Sequence, residues 1–162
     1  MYDIRAPSNS PTPPEKYVDY LHRLDVMKAI GAKSTYQECA RAANTKFGVT
    51  GDSSRSFLPQ LSEVVKQGVQ TLIWAGDADF ICNWKGNLAV AEVVDFDGAE
   101  EFRTKELEKY TVKGEHVGDF KQVGTYSFLK VFNAGHEVPY YAPEAALQVF
   151  GQIMRKRPLR ST

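Results

Sequence analysis

The sequence predicts an α/β fold, because helix-like and strand-like segments follow one another along its 162 residues. Residues 56–67 carry apolar side chains at helical spacing, and a glycine directly follows them. Residues 69–76 form a continuous apolar run, which is typical of a strand covered on both faces. Residues 110–135 alternate between apolar and polar side chains and are interrupted by glycines, which predicts three strands joined by turns.

The first third of the chain is predicted to be an extended arm followed by short helices. Four prolines between positions 7 and 14 indicate an extended, Pro-rich arm over residues 1–15. Residues 15–30 have mixed helical spacing, which predicts two short helices with Asp25 capping the second. Residues 35–43 predict a further short helix that carries Cys39, and residues 48–54 predict a loop.

Three longer helices are predicted around the strands. The first, over residues 56–67, is expected to begin at Ser56 as N-cap and to end at Gly68. The others are predicted over residues 83–96 and 143–156, and the charged residues 97–109 between them predict a loop or a frayed helix. The side chains expected to point inward are Phe57, Leu61, Val64, Val65, Leu88, Val90, Val93, Val94, Ala146, Val149, Phe150 and Met154.

Length and composition favour a single domain over residues 1–162, with an arm (1–15), a helical part (16–50) and a part with sheet and helices (51–162). Twenty basic and twenty acidic residues leave no net charge, so nucleic-acid binding is not expected. No apolar run approaches the length of a membrane span. The N-terminal residues lack the apolar stretch of a signal peptide, which on its own indicates an intracellular protein.

The cysteines and histidines predict no metal site. The spacing of the two cysteines and three histidines does not match any zinc-binding pattern, so neither a metal nor a cofactor is predicted. Cys39 and Cys82 allow at most one internal disulfide, which excludes a self-contained disulfide scaffold.

A first candidate site lies in WAGDADFICNW, residues 74–84, where the apolar strand ends in an acidic turn. Asp77 and Asp79 come directly after the strand, and Cys82 follows. In open α/β sheets, ligands and catalytic groups collect beyond the carboxyl ends of strands. The alternative is that both aspartates only stabilise the turn through their own side chains.

A second candidate site lies in FNAGHEVPYY, residues 132–141, where another strand ends in a small-residue turn. His136 follows at once, held between Gly135 and Pro139, which is good geometry for a general base. The alternative is an ordinary surface-loop histidine. An aspartate followed by a histidine, each at a strand end, is the order that α/β-hydrolases show after their nucleophile.

The nucleophile that such a pair requires is missing from the motifs. The strand–turn–helix motif G-x-S-x-G does not occur. Ser53 and Ser54 lack both its glycines and a preceding strand, and Cys82 shares the loop of the aspartates, where a structural or pocket-lining thiol is favoured. Either the site is illusory, or the nucleophile belongs to a part of the protein outside this sequence.

Longer segments resemble a known family. IWAGDADFICNWKGN is similar to the segment around the catalytic aspartate of serine carboxypeptidases, the fungal vacuolar type in particular, and FNAGHEVPYYAPEAAL resembles the segment around their catalytic histidine. The beginning of the chain, YDIRAPS, resembles the stretch that opens the C-terminal half of such enzymes. The resemblance implies an α/β-hydrolase fold with a helical insertion, of which this chain forms the C-terminal portion.

The resemblance also implies roles for single residues. Asp79 matches the triad aspartate, His136 the triad histidine, and Asp77 a structural acidic position in the turn. Ile81 and Cys82 match residues that line the S1 pocket of the family. No residue of this chain matches the serine, which the family carries in a G-E-S-Y motif within its N-terminal part.

Three further positions follow from the same comparison of motifs. Glu137 matches an S1′ position, where an acidic side chain would favour a basic residue at the end of the substrate. Ser53 stands where the fungal vacuolar type has a tryptophan that lines S1, which implies a roomier pocket. Cys39 matches a cysteine that forms a disulfide with the N-terminal part.

The function implied is a serine carboxypeptidase that releases C-terminal amino acids from peptides, without a cofactor. It would act only with the N-terminal chain of the same precursor, which carries the nucleophilic serine, and it would be vacuolar or secreted. Two alternatives stay open: an acyltransferase of the same lineage, and a homologue or subunit that keeps the fold without catalysis.

Overall fold

The computed structural model describes residues 2–6 and 15–162. Two compact units divide the chain: one comprises residues 14–56, and the other comprises residues 1–13 together with 57–162. They are called here the helical unit and the sheet unit. The predicted Pro-rich arm lies largely outside the described residues.

The helical unit contains three α-helices: α1 (Lys16–Leu21), α2 (Leu24–Ala29) and α3 (Arg41–Thr50). The prediction of two helices within residues 15–30 is therefore confirmed. The prediction that Asp25 caps α2 is wrong, because the N-cap is Arg23, in an extended conformation. Asp25 instead lies in the first turn, where it forms an ion pair with Arg23 at 2.7 Å.

The predicted helix over residues 35–43 is also wrong. Residues 38–39 form a turn, so Cys39 is not helical, and the helix begins only at Arg41. This helix includes residues 48–50 of the predicted loop at 48–54 and ends at Gly51, whose φ of 71° is readily adopted by glycine. A short 3-10 helix, Asp52–Ser54, follows.

The sheet unit alternates helices and strands as predicted. Its helices are α4 (Leu58–Lys66), α5 (Trp84–Glu92), α6 (Ala99–Thr104), α7 (Val138–Tyr141) and α8 (Pro143–Met154). Its strands are β1 (Thr71–Gly76), β2 (Glu108–Val112), β3 (Glu115–Val123) and β4 (Tyr126–Val131). Within the described residues, no helix is both long enough and apolar enough to cross a membrane.

The four strands form one mixed sheet in the order β1-β4-β3-β2. The pairs β2–β3 and β3–β4 are antiparallel, whereas β1 runs parallel to β4. Gly76, the last residue of β1, lies opposite Val131, the last residue of β4. Because the two strands end in register, the loops that follow them leave the sheet at the same edge.

Helices cover both faces of this sheet, since successive side chains of a strand point to opposite faces. On β4, Phe128 belongs to a buried cluster with residues of α4, α5 and α6, whereas Leu129 belongs to a cluster with residues of α7 and α8. Both side chains are completely buried. The α/β class predicted from the sequence is thus the observed one.

Several predicted inward faces are wrong. In α5 and just after it, Ala91 and Val94 are buried, whereas Val90 and Val93 are exposed. In α8 the buried side chains are Ala145, Ala146 and Val149. These helices carry apolar side chains on more than one side, so helical spacing alone does not identify the inward face. The other side chains predicted to be inward and found exposed are Phe57, Val64, Phe150 and Met154.

Candidate active site

The loops that follow β1 and β4 are joined by backbone hydrogen bonds. The N–H of Asp77 donates to the carbonyl oxygen of Val131 at 2.9 Å. The N–H of Ala78 donates to the carbonyl oxygen of Ala134, also at 2.9 Å. These bonds extend the parallel pairing of the two strands into the loops, so the segment that carries Asp79 lies beside the one that carries His136.

Glycines make this close approach possible. A Cβ atom on Gly76 would lie 2.1 Å from the carbonyl oxygen of Ala134, and one on Gly135 would lie 2.7 Å from the carbonyl oxygen of Tyr2. Neither contact is sterically allowed. Two residues before Gly135, Asn133 adopts a φ of 54°, which lies in a left-handed region that asparagine enters more readily than most residues.

Asp79 is buried and uses both carboxylate oxygens. Its Oδ1 accepts the backbone N–H of Cys82 at 3.1 Å, which closes a turn within the loop. Its Oδ2 lies 2.9 Å from Nδ1 of His136. The side chain of Asp79 is 4% exposed, whereas that of His136 is 34% exposed. One partner is therefore held inside the protein, and the other reaches its surface.

This hydrogen bond determines the tautomer of His136. A carboxylate only accepts hydrogen bonds, so Nδ1 carries the proton and Nε2 is the basic nitrogen. An imidazole oriented in this way can take a proton at Nε2, and the carboxylate of Asp79 stabilises the imidazolium that results. The residue that orients His136 is Asp79 and not Asp77, whose backbone N–H belongs to the pairing between the loops.

Cys82 lies on the same turn. Ligand atoms of Asp79, Cys82 and His136 all lie within 4.8 Å of one another, which is close enough for the three to share a metal ion. The direct hydrogen bond between Asp79 and His136 is, however, the arrangement of an acid–base pair. Partial desolvation and the nearby Asp79 raise the pKa of the Cys82 thiol, so it stays protonated at neutral pH and is a poor nucleophile.

The other candidate residues are distributed over both units. Ile81, beside Cys82, is 55% exposed. Glu137, directly after His136, has a buried Oε2 without a hydrogen-bond partner within the described residues. Ser53 and Cys39 belong to the helical unit, where Ser53 lies in the 3-10 helix and Cys39 has an exposed free thiol.

Residues 2–5 also contribute to this site, although no sequence pattern indicates it. The carbonyl oxygen of Tyr2 accepts the backbone N–H of His136 at 2.8 Å, and the ring centroid of Tyr2 lies 4.8 Å from that of the imidazole. No spacing or periodicity connects positions so far apart along the chain.

Comparisons with known proteins agree with the resemblance seen in the motifs. The family model described as serine carboxypeptidase matches residues 2–156. The chain is 56% identical to carboxypeptidase S1 of Penicillium janthinellum over 162 residues, and 38% identical to carboxypeptidase Y homolog A of Leptosphaeria maculans over 159 residues. These alignments cover 100% and 94% of this chain.

The fold matches a solved structure of Kex1(delta)p, a prohormone-processing carboxypeptidase from Saccharomyces cerevisiae, with a TM-score of 0.70. The sequences are 20% identical, and the match covers 96% of this chain and 36% of that one. The predicted fold, a portion of an α/β-hydrolase, is thereby confirmed.

The chain spans only part of its relatives. It covers 38% of the length of carboxypeptidase S1 and 29% of that of carboxypeptidase Y homolog A. The match of the family model over residues 2–156 and the identity to carboxypeptidase S1 nevertheless lead to one conclusion: the chain belongs to the serine carboxypeptidase family.

Proposed function

We propose that this chain supplies the acid–base pair of a serine carboxypeptidase, which releases C-terminal amino acids from peptides. The observation that carries the proposal is the hydrogen bond between buried Asp79 and half-exposed His136, at the adjacent carboxyl ends of two parallel strands. Membership of the serine carboxypeptidase family supports the proposal, because a hydrolase with a nucleophilic serine needs such an acid–base pair.

The nucleophile in this proposal is a serine on a part of the protein outside this sequence. Two facts support it: the chain spans 38% of the length of carboxypeptidase S1, and its residues include no G-x-S-x-G motif. Nδ1 of His136 is bonded to Asp79, which leaves Nε2 to bind the serine hydroxyl. Cys39, exposed in the helical unit, is proposed to form a disulfide with that other part, as expected in a vacuolar or secreted protein.

The reaction proceeds in two steps. His136 takes the proton of the serine hydroxyl while the serine oxygen attacks the scissile carbonyl carbon. It then gives that proton to the nitrogen of the departing amino acid as the C–N bond breaks and an acyl-enzyme remains. In the second step, His136 takes a proton from water as the water oxygen attacks the ester carbon. It then gives that proton to the serine oxygen as the ester C–O bond breaks, which releases the shortened peptide and restores the serine. Asp79 stabilises the imidazolium in both steps.

Two experiments on the full-length protein test this function. A blocked dipeptide with a free C-terminal carboxylate should lose its last amino acid, whereas the same peptide as C-terminal amide should be hydrolysed far more slowly. A fluorophosphonate probe should label one serine outside residues 1–162. If no peptide is hydrolysed, the protein is better explained as a non-catalytic homologue. If the acyl group is transferred to an added alcohol in preference to water, the protein is an acyltransferase. If the probe labels Ser53, the proposed division of the triad between two parts of the protein is contradicted.

The pocket residues are proposed by analogy with the family. Ile81 and Cys82 lie on the Asp79 loop and would form a wall of the S1 pocket. Glu137 would contact the side chain of the departing amino acid.

Replacing Glu137 by glutamine tests the S1′ proposal. We expect kcat/KM for peptides ending in lysine or arginine to fall about tenfold, since an ion pair between the carboxylate and the substrate's cation is replaced by a hydrogen bond from that cation to a neutral amide. Peptides ending in leucine should be hydrolysed as by the wild type. Glu144→Gln is the control, because Glu144 is exposed and pairs with Lys113 on the surface. An equal loss for leucine and lysine substrates would contradict the assignment.

A further inference from the structure

The segment Tyr2–Arg5 is bonded to both catalytic loops. On one side, the carbonyl oxygen of Tyr2 accepts the backbone N–H of His136 at 2.8 Å. On the other, the N–H of Ile4 donates to the carbonyl oxygen of Ala78, the residue before Asp79, at 2.9 Å. One short segment thus bridges the backbones that carry the acid and the base.

Tyr2 also contacts the imidazole itself. The two ring centroids are 4.8 Å apart, and the ring planes are inclined by 39°. This distance lies within the range in which aromatic rings attract each other. His136 is therefore held at three places: at Nδ1 by Asp79, at its backbone N–H by Tyr2, and on its ring by the side chain of Tyr2.

An ion pair between buried Asp3 and partly exposed Arg5 holds this segment in its conformation. The side chain of Asp3 is 2% exposed, and its carboxylate accepts Nε of Arg5 at 3.0 Å and Nη2 of Arg5 at 2.6 Å. The backbone N–H of Arg5 donates to Oδ1 of Asp3 at 2.7 Å. These bonds from Arg5 lower the pKa of Asp3, so the carboxylate is ionised although it is buried.

The ion pair is anchored to the histidine loop. Nη2 of Arg5 donates to the carbonyl oxygen of Asn133 at 3.1 Å, and the guanidinium lies 5.7 Å from the ring centroid of Tyr141. Asp3 packs so closely against Gly135 that a Cβ atom there would lie 2.8 Å from Oδ2 of Asp3. The ion pair therefore contacts Gly135, directly before His136, and also Asn133 and Tyr141, which precede and follow His136 along the chain.

We propose that Asp3 and Arg5 are positioning residues for the catalytic pair. Their ion pair holds the segment Tyr2–Arg5 in place, and through Tyr2 it fixes the distance and orientation of His136 relative to Asp79. Neither side chain touches the reacting atoms. The expected effect on catalysis rests on the proposed function, whereas the expected effect on the geometry of His136 does not.

Asp3→Asn in the full-length protein tests the kinetic consequence. We expect kcat to fall about 10- to 100-fold, because a misplacement of about 1 Å in a catalytic group costs up to that much. KM should stay within about twofold, since no substrate contact is lost. The control is Asp25→Asn, which breaks the similar Arg23–Asp25 pair, with bonds of 3.1 and 2.7 Å, on the exposed surface of α2.

NMR spectra of protein labelled with 15N-histidine test the geometric consequence without reference to activity. In Asp3→Asn the ring signals of His136 should shift, while those of His22 and His116 should not. If the wild type releases no amino acid, the proposed function fails, but the His136 signals still decide this inference. Unchanged His136 signals in a folded Asp3→Asn protein, or an equal loss of kcat in Asp25→Asn, would overturn it.

A second variant covers the case in which Asp3→Asn does not fold. The Arg5 side chain is 43% exposed, so Arg5→Gln breaks the pair with less disturbance of the interior. Arg5→Gln is expected to lower kcat and to shift the His136 signals in the same direction. A folded Arg5→Gln protein with wild-type kcat and wild-type His136 signals would equally overturn the proposal.

Discussion

Replacing Asp79 by asparagine is expected to lower kcat about ten-thousand-fold while the protein stays folded. Asparagine has one acceptor oxygen, which the N–H of Cys82 already occupies at the Oδ1 position. The amide NH2 would then face Nδ1 of His136 and turn that nitrogen into an acceptor. The proton would move to Nε2, the atom that takes the proton of the serine in the proposed mechanism. Initial rates with a peptide substrate, and circular dichroism of the full-length variant, measure both parts of this expectation.

A second histidine–aspartate pair in the same sheet unit provides the control. Nε2 of His116 lies 2.8 Å from Oδ1 of Asp119, on β3. Asp119→Asn removes the same kind of charge from the same kind of pair, and kcat is expected to stay within about twofold of the wild type, as for other substitutions away from the site. If Asp79→Asn kept more than a tenth of the activity, or if Asp119→Asn lost as much, the role assigned to Asp79 would be contradicted.

The parts of the fold that could be predicted are those with a local pattern. The run TLIWAG identifies β1, and the alternation before and after Gly114 and Gly124 identifies the strands β2 to β4. The inward faces of α5 and α8 could not be predicted, because Val93 and Phe150 are as apolar as the residues that are buried. Which face packs on the sheet depends on the geometry of the whole unit and not on the segment alone.

In the candidate site, too, only the features with a local sequence pattern could be predicted. Asp79 and His136 could be proposed because each follows a strand and each lies in a long motif. Their hydrogen bond depends on the parallel pairing of β1 with β4, which no short segment specifies. The contribution of Arg5 could not be predicted, because the bond to Asn133 joins residues 128 positions apart and leaves no local signature.

Replacing Gly76 by alanine is expected to disrupt the site by separating its two loops. The new Cβ atom would lie 2.1 Å from the carbonyl oxygen of Ala134 and 2.5 Å from that of Gly135. Both are backbone atoms, so no side chain can rotate to make room. Since β1 and β4 pair in register up to Gly76, the histidine loop would have to move away from Asp79. We expect the free energy of unfolding to fall by about 3 kcal/mol or more, and kcat to fall with it.

Gly86→Ala shows whether this loss comes from the contact or from alanine itself. Gly86 lies in the first turn of α5, and a Cβ atom there would be 3.6 Å from Oδ1 of Asn83, an ordinary contact. Alanine favours the helix over glycine by up to about 1 kcal/mol, so this variant should be as stable as the wild type or more so. Chemical denaturation of the full-length variants compares the two. An ordinary substitution changes the free energy of unfolding by about 1 kcal/mol. If Gly76→Ala changed it by no more than that, the loops would have room for the added methyl group despite the 2.1 Å contact. The Asp79–His136 distance would then not depend on this glycine.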